Sequence, residues 1–241
     1  MSDKFYKYYL PDGRIFHVEV ALKAINREGI TSVALKGKTC AVVASQNIAT
    51  NIANIDPETA TSLFALNEIV GCVVTGRFGD CKYLVQEARR EASDFHSYCR
   101  HQMAIDVLCH RMADILQLKT RCLEARALAC SMMLISYDDD LGASVFKTDP
   151  SANYCGYFAC ASGAKQLQAE DFLRKNYKLN MSEKESVSLA VNCLVNVLEF
   201  ECQPQDIEVG IVTDCNRQFR KLDEEEIKKY KHYFLYFCIP Y

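Results

Sequence analysis

The sequence predicts a single α+β domain, and three observations carry that expectation. Two amphipathic helical stretches follow four strand-like runs, and strand-like runs resume after them. That block order is layered α+β, not an alternating βαβ unit. The 241 residues suffice for one large core, and about half of them are apolar. No Pro/Gly/Ser-rich stretch divides the chain.

Residues 1–10 hold three tyrosines and a phenylalanine among lysines, with no clear period, and read as a terminal arm. Pro11-Asp12-Gly13 is a turn: proline fixes φ and glycine permits φ > 0. Val18, Ala21, Leu22 and Ile25 then recur at i, i+3, i+4 and i+7, the single apolar stripe of a short helix. Glu19 early and Lys23 and Arg27 late suit its dipole, and Gly29 is a candidate C-cap.

Thr31–Lys36 and Cys40–Gln46 read as a hairpin turned around Gly37. The second run is nearly all apolar, so both its faces should be covered. Residues 46–58 are loop-like, and Leu63–Leu66 pairs with Val70–Thr75. A helix over Asp80–Phe95 turns Leu84, Ala88, Ala92 and Phe95 inward. A second over Ile105–Lys119 buries Leu108, Met112, Ile115 and Leu116.

Strands are expected over Ala129–Tyr137, Ala143–Thr148 and Tyr154–Ala161, followed by a helix from Gly163 to about Tyr177. Ser182 and Glu185 form a capping box ahead of a core helix reaching about Phe200, with Val187, Ala190, Val191, Leu194, Val195 and Leu198 inward. Ile207–Thr213 is the last strand. Asp223–Glu226 charges the start of a closing helix, and the tail from Tyr230 to Tyr241 is rich in aromatics.

The formal charge is −3 and no basic block is present, so nucleic-acid binding is not expected. No apolar run reaches the ~20 residues of a membrane helix. Met1–Lys4 does not resemble a signal peptide. The thirteen cysteines contain no Cys-x-x-Cys; Cys155 and Cys160 come closest, on opposite faces of one expected strand, so reduced, mostly buried thiols are expected in place of zinc or disulfides. Asp138–Asp140 lacks the spacing of a calcium loop. Ala161–Lys165 lacks the glycines and Lys-Ser/Thr ending of a phosphate-binding loop. His96, His101 and His110 have no cysteine placed as a nucleophile beside them. No catalytic, cofactor-binding or metal-binding residue is therefore assigned.

The string Pro11-Asp12-Gly13-Arg14-Ile15-Phe16-His17-Val18-Glu19-Val20-Ala21 resembles the N-terminal motif of proteasome alpha subunits. Lys23–Asn26 and Gly29–Ala34 resemble the eukaryotic alpha-1 (type-6) branch of that family, and the likeness runs from about Asp3 to Ile227. The resemblance implies two stacked antiparallel sheets between two helical layers, the four-layer α-β-β-α sandwich of Ntn-hydrolases.

It also implies a non-catalytic role. Catalytic relatives of this fold use an N-terminal threonine whose own amine is the base, tuned by an aspartate and a lysine. The corresponding positions here are Ile30, Gln46 and Ser62, and Thr31 carries an amide unless the chain is cut. The family implies a seven-membered heteromeric alpha ring stacked on beta-ring subunits. Regulatory ATPases or other activators dock on it, and residence is cytoplasmic and nuclear.

Within that frame, Val18, Ala21, Leu22 and Ile25 belong to the helix that touches a neighbouring subunit. The gate cluster corresponds to Asp3, Lys4, Pro11 and Val20. Ser2-Asp3-Lys4 stands where the family carries Tyr-Asp-Arg, so a weaker cluster is expected, or one using Tyr6, Tyr8 and Tyr9. Ser62 forms the wall of an activator pocket where the family carries lysine. Two alternatives stay open: a self-processed threonine peptidase, and a divergent scaffold outside the proteasome.

Overall fold

The computed structural model describes residues 9–47, 59–122, 125–198 and 202–233. Helix α1 (Phe16–Arg27) leads into β1 (Thr31–Lys36), β2 (Cys40–Gln46), β3 (Leu63–Ala65) and β4 (Val70–Gly76). Helices α2 (Phe78–Cys99) and α3 (Ile105–Arg121) follow. Then come β5 (Cys130–Asp138), β6 (Gly142–Thr148), β7 (Tyr154–Gly156) and β8 (Ala159–Gly163). Helices α4 (Gln166–Asn176) and α5 (Glu183–Leu198), strands β9 (Ile207–Thr213) and β10 (Arg220–Lys221), and helix α6 (Glu224–Tyr233) complete the order.

The strands form two five-stranded sheets, β10-β9-β2-β1-β8 and β3-β4-β5-β6-β7, with every pairing antiparallel. Three hydrophobic layers stack them into a sandwich. Val33, Leu35, Val42 and Ala44 meet α4 and α5 on the outside of the first sheet. Ala34, Ala41 and Val43 point the other way, onto Val73, Met133 and Ile135 of the second sheet. Cys72, Val74, Met132 and Leu134 face α2 and α3. Period-2 alternation thus buries both faces, which is why the central residues of these strands are apolar. The four-layer α-β-β-α arrangement is the one expected.

Strands β1, β2 and β9 span the expected residues. Helix α5 is buried nearly all round from Ser186 to Leu194 because α4 and α6 flank it as well as the sheet. The capping box at its start is formed: the Ser182 N–H and hydroxyl reach Glu185 Oε2 at 2.8 and 2.7 Å.

Two expectations need correction. Tyr154–Ala161 is not one strand but two, broken at Tyr157-Phe158, and β7 and β8 lie in different sheets. Cys155 and Cys160 therefore sit on separate strands, and the opposite-faces argument does not apply to them. Strand β10 was not foreseen, since two charged residues carry no period. The arm before Tyr9, most of the 46–58 loop, residues 199–201 and the tail beyond Tyr233 lie outside the described residues.

Phe219, from the loop between β9 and β10, bridges the two sheets. A Cβ on Gly71 of β4 would lie 1.9 Å from its ring, and one on Gly210 of β9 would lie 2.5 Å away. Both positions must stay bare for the ring to seat. Gly71→Ala is expected to destabilise the domain by about 1–3 kcal/mol through overpacking, read as a lowered urea midpoint. A smaller partner, Phe219→Leu, should recover part of the loss in the G71A background.

Candidate functional site

Ile30, Gln46 and Ser62 lie at the end of the sandwich where β1 begins, and a turn and helix α1 lead the chain into it. Tyr9 bridges to Ile15, the Leu10 N–H reaches the Arg14 carbonyl at 2.7 Å, and the Gly13 N–H reaches the Leu10 carbonyl at 2.9 Å. Gly13 takes φ = 85°, as the turn requires. Arg14 holds Asp12 and, at 3.0 Å, Glu19 on the first turn of α1. The chain thus enters α1 through a short, stapled turn. At the far end Gly29 (φ = 77°) lets it reverse into Ile30 and β1.

Helix α1 lies against β4 and β5. Ala21 packs on Ala127 and Ala129, the stretch just before β5. That stretch is tied to the start of α2 by Asp80, which accepts Arg126 Nη1 at 2.6 Å and the Ala129 N–H at 2.8 Å. Burial alone would raise the Asp80 carboxyl. The Arg126 guanidinium and the Ala129 amide outweigh it and hold the carboxyl below its ordinary value.

The stripe expected to meet a neighbouring subunit is largely internal. Val18, Ala21 and Ile25 are buried against the chain's own body, and Leu22 is half-buried. The side of α1 left for a partner carries Phe16 and Val20, the latter 47% exposed. Periodicity found the buried face of the helix but could not say what buries it. Pro11 is exposed in its turn, as is Val20 on α1, while Asp3, Lys4, Tyr6 and Tyr8 lie outside the described residues.

Ile30 and Ser62 do come together. With Thr61, Phe64, Val74, Gly76, Phe78, Cys81 and Lys82 they line a residual cavity of about 10 Å³, which holds a water at most. Ser62 is only 3% exposed. Lys82 shares the pocket and sits 4.5 Å above the Phe78 ring. Gln46 lies at the Thr31 end of β2, since Ser32 faces Ser45, and it is buried.

The peptide before Thr31 is firmly engaged. The Ala164 N–H donates to the Ile30 carbonyl at 3.0 Å, and the Lys165 N–H donates to Thr31 Oγ1 at 3.2 Å. Gly163 permits this closure. It has φ = 107°, and a Cβ there would lie 1.9 Å from the Ile30 oxygen. The small-residue loop is therefore a backbone clasp on the head of β1.

Behind it, hydroxyls form a directed chain. Thr75 donates to Ser32 at 2.7 Å, Ser32 pairs with Ser45 at 2.8 Å, and Ser45 donates to the Gln46 carbonyl at 3.2 Å. Ser45 has one proton, so Ser32 must donate to it. Each proton is used, and among the described residues no histidine, lysine or carboxylate side chain joins the chain. Sequence reasoning missed this relay and the Asp80–Arg126 pair. Hydroxyls interrupting apolar runs at Ser32, Ser45 and Thr75 were the available signal.

Other candidates fall away or find structural roles. Asp139 pairs with Arg217, and no cluster able to hold a metal ion occurs among the described residues. His110 stacks on Tyr154 and His101 meets Phe95 edge-on. Of the twelve described thiols, eight are buried. Burial pushes Cys109, Cys160 and Cys193 up to about 12. No helix among the described residues is long and apolar enough to cross a membrane.

A sandwich of this topology, opened by a helix before β1, defines the proteasome class of Ntn-type folds, and the comparisons agree. The "Proteasome subunit" family model matches residues 26–212, and the chain belongs to that family. It is 36% identical over 229 residues to the probable proteasome subunit alpha type-1 of Schizosaccharomyces pombe, covering 94% of this chain and 93% of that one. It is 34% identical over 228 residues to the proteasome subunit alpha type-6 of Caenorhabditis elegans, covering 94% and 92%. An archaeal proteasome subunit alpha, from Thermococcus sibiricus, is 28% identical over 227 residues, covering 94% and 85%.

Two outcomes follow from the electrostatics. Asp80→Ala leaves the Ala129 amide unpaired, and is expected to cost about 1.5–3 kcal/mol, measured by chemical denaturation. Glu208 behaves oppositely. Burial raises its carboxyl above 4.5, and Thr61 and Lys221 only partly offset this. A raised acid favours folding below its unfolded value and loses that contribution as pH rises through the folded one. Glu208→Gln should therefore gain stability over wild type at pH 7.5 and lose that advantage near pH 4, read from paired melting curves.

Proposed function

We propose that this chain is a non-catalytic subunit of the outer, alpha-type ring of the 20S core proteasome, contributing to the substrate gate and the activator-docking surface. The observation that carries the reading is the head of β1. A folded helix precedes it, so the nitrogen of Thr31 is an amide, and about 10 Å³ of free space remains beside Ile30 and Ser62. An N-terminal threonine peptidase needs a free amine, tuning charges and room for a substrate carbonyl. Ile30, Gln46 and Ser62 supply none of these.

The partners are other subunits of the alpha ring, the beta-ring subunits and activators of the regulatory-particle type, and the setting is cytoplasm and nucleus. The names of the relatives support this reading, since each is an alpha subunit. Cleavage before Thr31 would need the Ala164 and Lys165 contacts to open.

Intact-mass measurement of the chain from purified particles is expected to find the segment ahead of Thr31 still attached. The isolated chain should hydrolyse no peptide, with or without Thr31→Ala. A mass beginning at Thr31 together with activity abolished by T31A would overturn the reading.

A further inference from the structure

Every sheet edge exposes backbone N–H and C=O groups, and folded proteins blunt them. The two sheets here have four edges, and three are visibly blunted. At β3 the ladder turns the Leu63 and Ala65 backbones outward, because the bonds to β4 run through Ser62 and Leu66. Thr61 Oγ1 accepts the outward Leu63 N–H at 3.1 Å, and Arg89 caps the Ala65 carbonyl with Nε at 2.9 Å and Nη2 at 2.8 Å. At β8 the bonds to β1 run through Phe158 and Ala164, so Ala161 faces outward. The mostly buried Lys147 reaches across from β6 and donates to its carbonyl at 2.7 Å. At β10 the edge is two residues long and both are cationic, Arg220 and Lys221.

Strand β7 is different. The Tyr157 N–H donates to the Val145 carbonyl at 2.8 Å, so by alternation the N–H and C=O of Tyr154 and Gly156 point off the sheet. No side chain among the described residues donates to or accepts from them. Tyr-Cys-Gly carries no charge and no proline, and all three residues are exposed. Tyr157 (40% exposed) and Phe158 (56% exposed) follow the strand as an aromatic ridge. Beside Gly156 lies a groove of about 240 Å³, lined by Lys36, Leu141, Phe146, Tyr157 and Phe158 among others. Lys36 is its one charged lining residue. Its ammonium rests 5.1 Å from the Phe158 ring and has no carboxylate partner among the described residues.

We propose that the β7 edge is an assembly surface that receives an extended segment of a neighbouring ring subunit. The segment pairs with the outward amides and carbonyls of Tyr154 and Gly156. It lays an apolar side chain in the groove and sets a carboxylate against Lys36. Backbone pairing selects a strand over a helix, and an uncompensated cation beside apolar walls selects an acidic residue on it. The proposal rests on the ring-subunit reading and adds which edge meets the neighbour and in what conformation.

Gly156→Pro isolates the claim. The Gly156 N–H is not part of the ladder to β6, so proline removes an outward donor while the internal pairing stays. The isolated G156P chain should melt as wild type does. Co-expressed with the other proteasome subunits, it should enter particles about tenfold less often. Lys36→Glu should lower incorporation too, and Lys36→Arg should restore it. With p-benzoylphenylalanine in place of Phe158, the wild-type particle should give a cross-link to one extended, acidic-residue-bearing segment of another subunit. Normal incorporation of G156P, or a cross-link to a helix or to a second copy of this chain, overturns the inference while leaving the ring reading intact. Failure of the wild-type chain to co-sediment with beta subunits overturns the ring reading itself, and this inference with it.

Discussion

The hydrogen bond from the Ala164 amide to the Ile30 carbonyl is the contact on which the rest of the molecule's character turns. It pins the peptide just ahead of β1 to the loop that ends β8, and only glycine at 163 lets the two backbones come that close. With that junction pinned, the helix upstream is held over the end of the sandwich. At that end the hydroxyl relay meets no ionisable side chain among the described residues, and the cavity beside Ser62 stays close to one water in volume.

The helix over the junction is seated by a second polar device. Asp80 lies at the start of α2 and ties down the strand entry on which Ala21 rests. It is buried on a side where most contacts are small and apolar, and Ala21, Ala127 and Ala129 supply little area. Small residues allow close approach but contribute modest transfer energy. The charge-assisted pair with Arg126 therefore carries a disproportionate share of the local order. The sheets themselves need no such help, since each is buried on both faces.

Much of this architecture was legible in residue order. The runs of β1, β2 and β9 are apolar on both faces and end at turn residues, so their limits were readable. The break between β7 and β8 was not, because Tyr154 to Ala161 keeps its β character through Tyr157-Phe158. Only tertiary pairing shows the chain leaving one sheet for the other. The stripe of α1 was visible as a stripe, but periodicity is silent on whether the covering surface belongs to the same chain. The caps supplied by Lys147 and Arg89 join positions fourteen and twenty-four residues apart in sequence, and no local pattern announces them. Ile30, Gln46 and Ser62 were found through likeness to a known family, and the burial of Gln46 and Ser62 had to wait for the fold.

The cysteines lend the molecule one further property. Eight of the twelve described sulfhydryls are enclosed by the three apolar layers, and several are held far from ionisation at neutral pH. Alkylating reagents attack the thiolate, so in the native state they meet only Cys99, Cys122, Cys155 and Cys215 among those positions. The protected sulfurs are spread through both helical layers and the seam between the sheets. Each one becomes reactive only when its own layer opens, which gives the domain a set of native, spatially resolved clocks for the order in which its layers come apart.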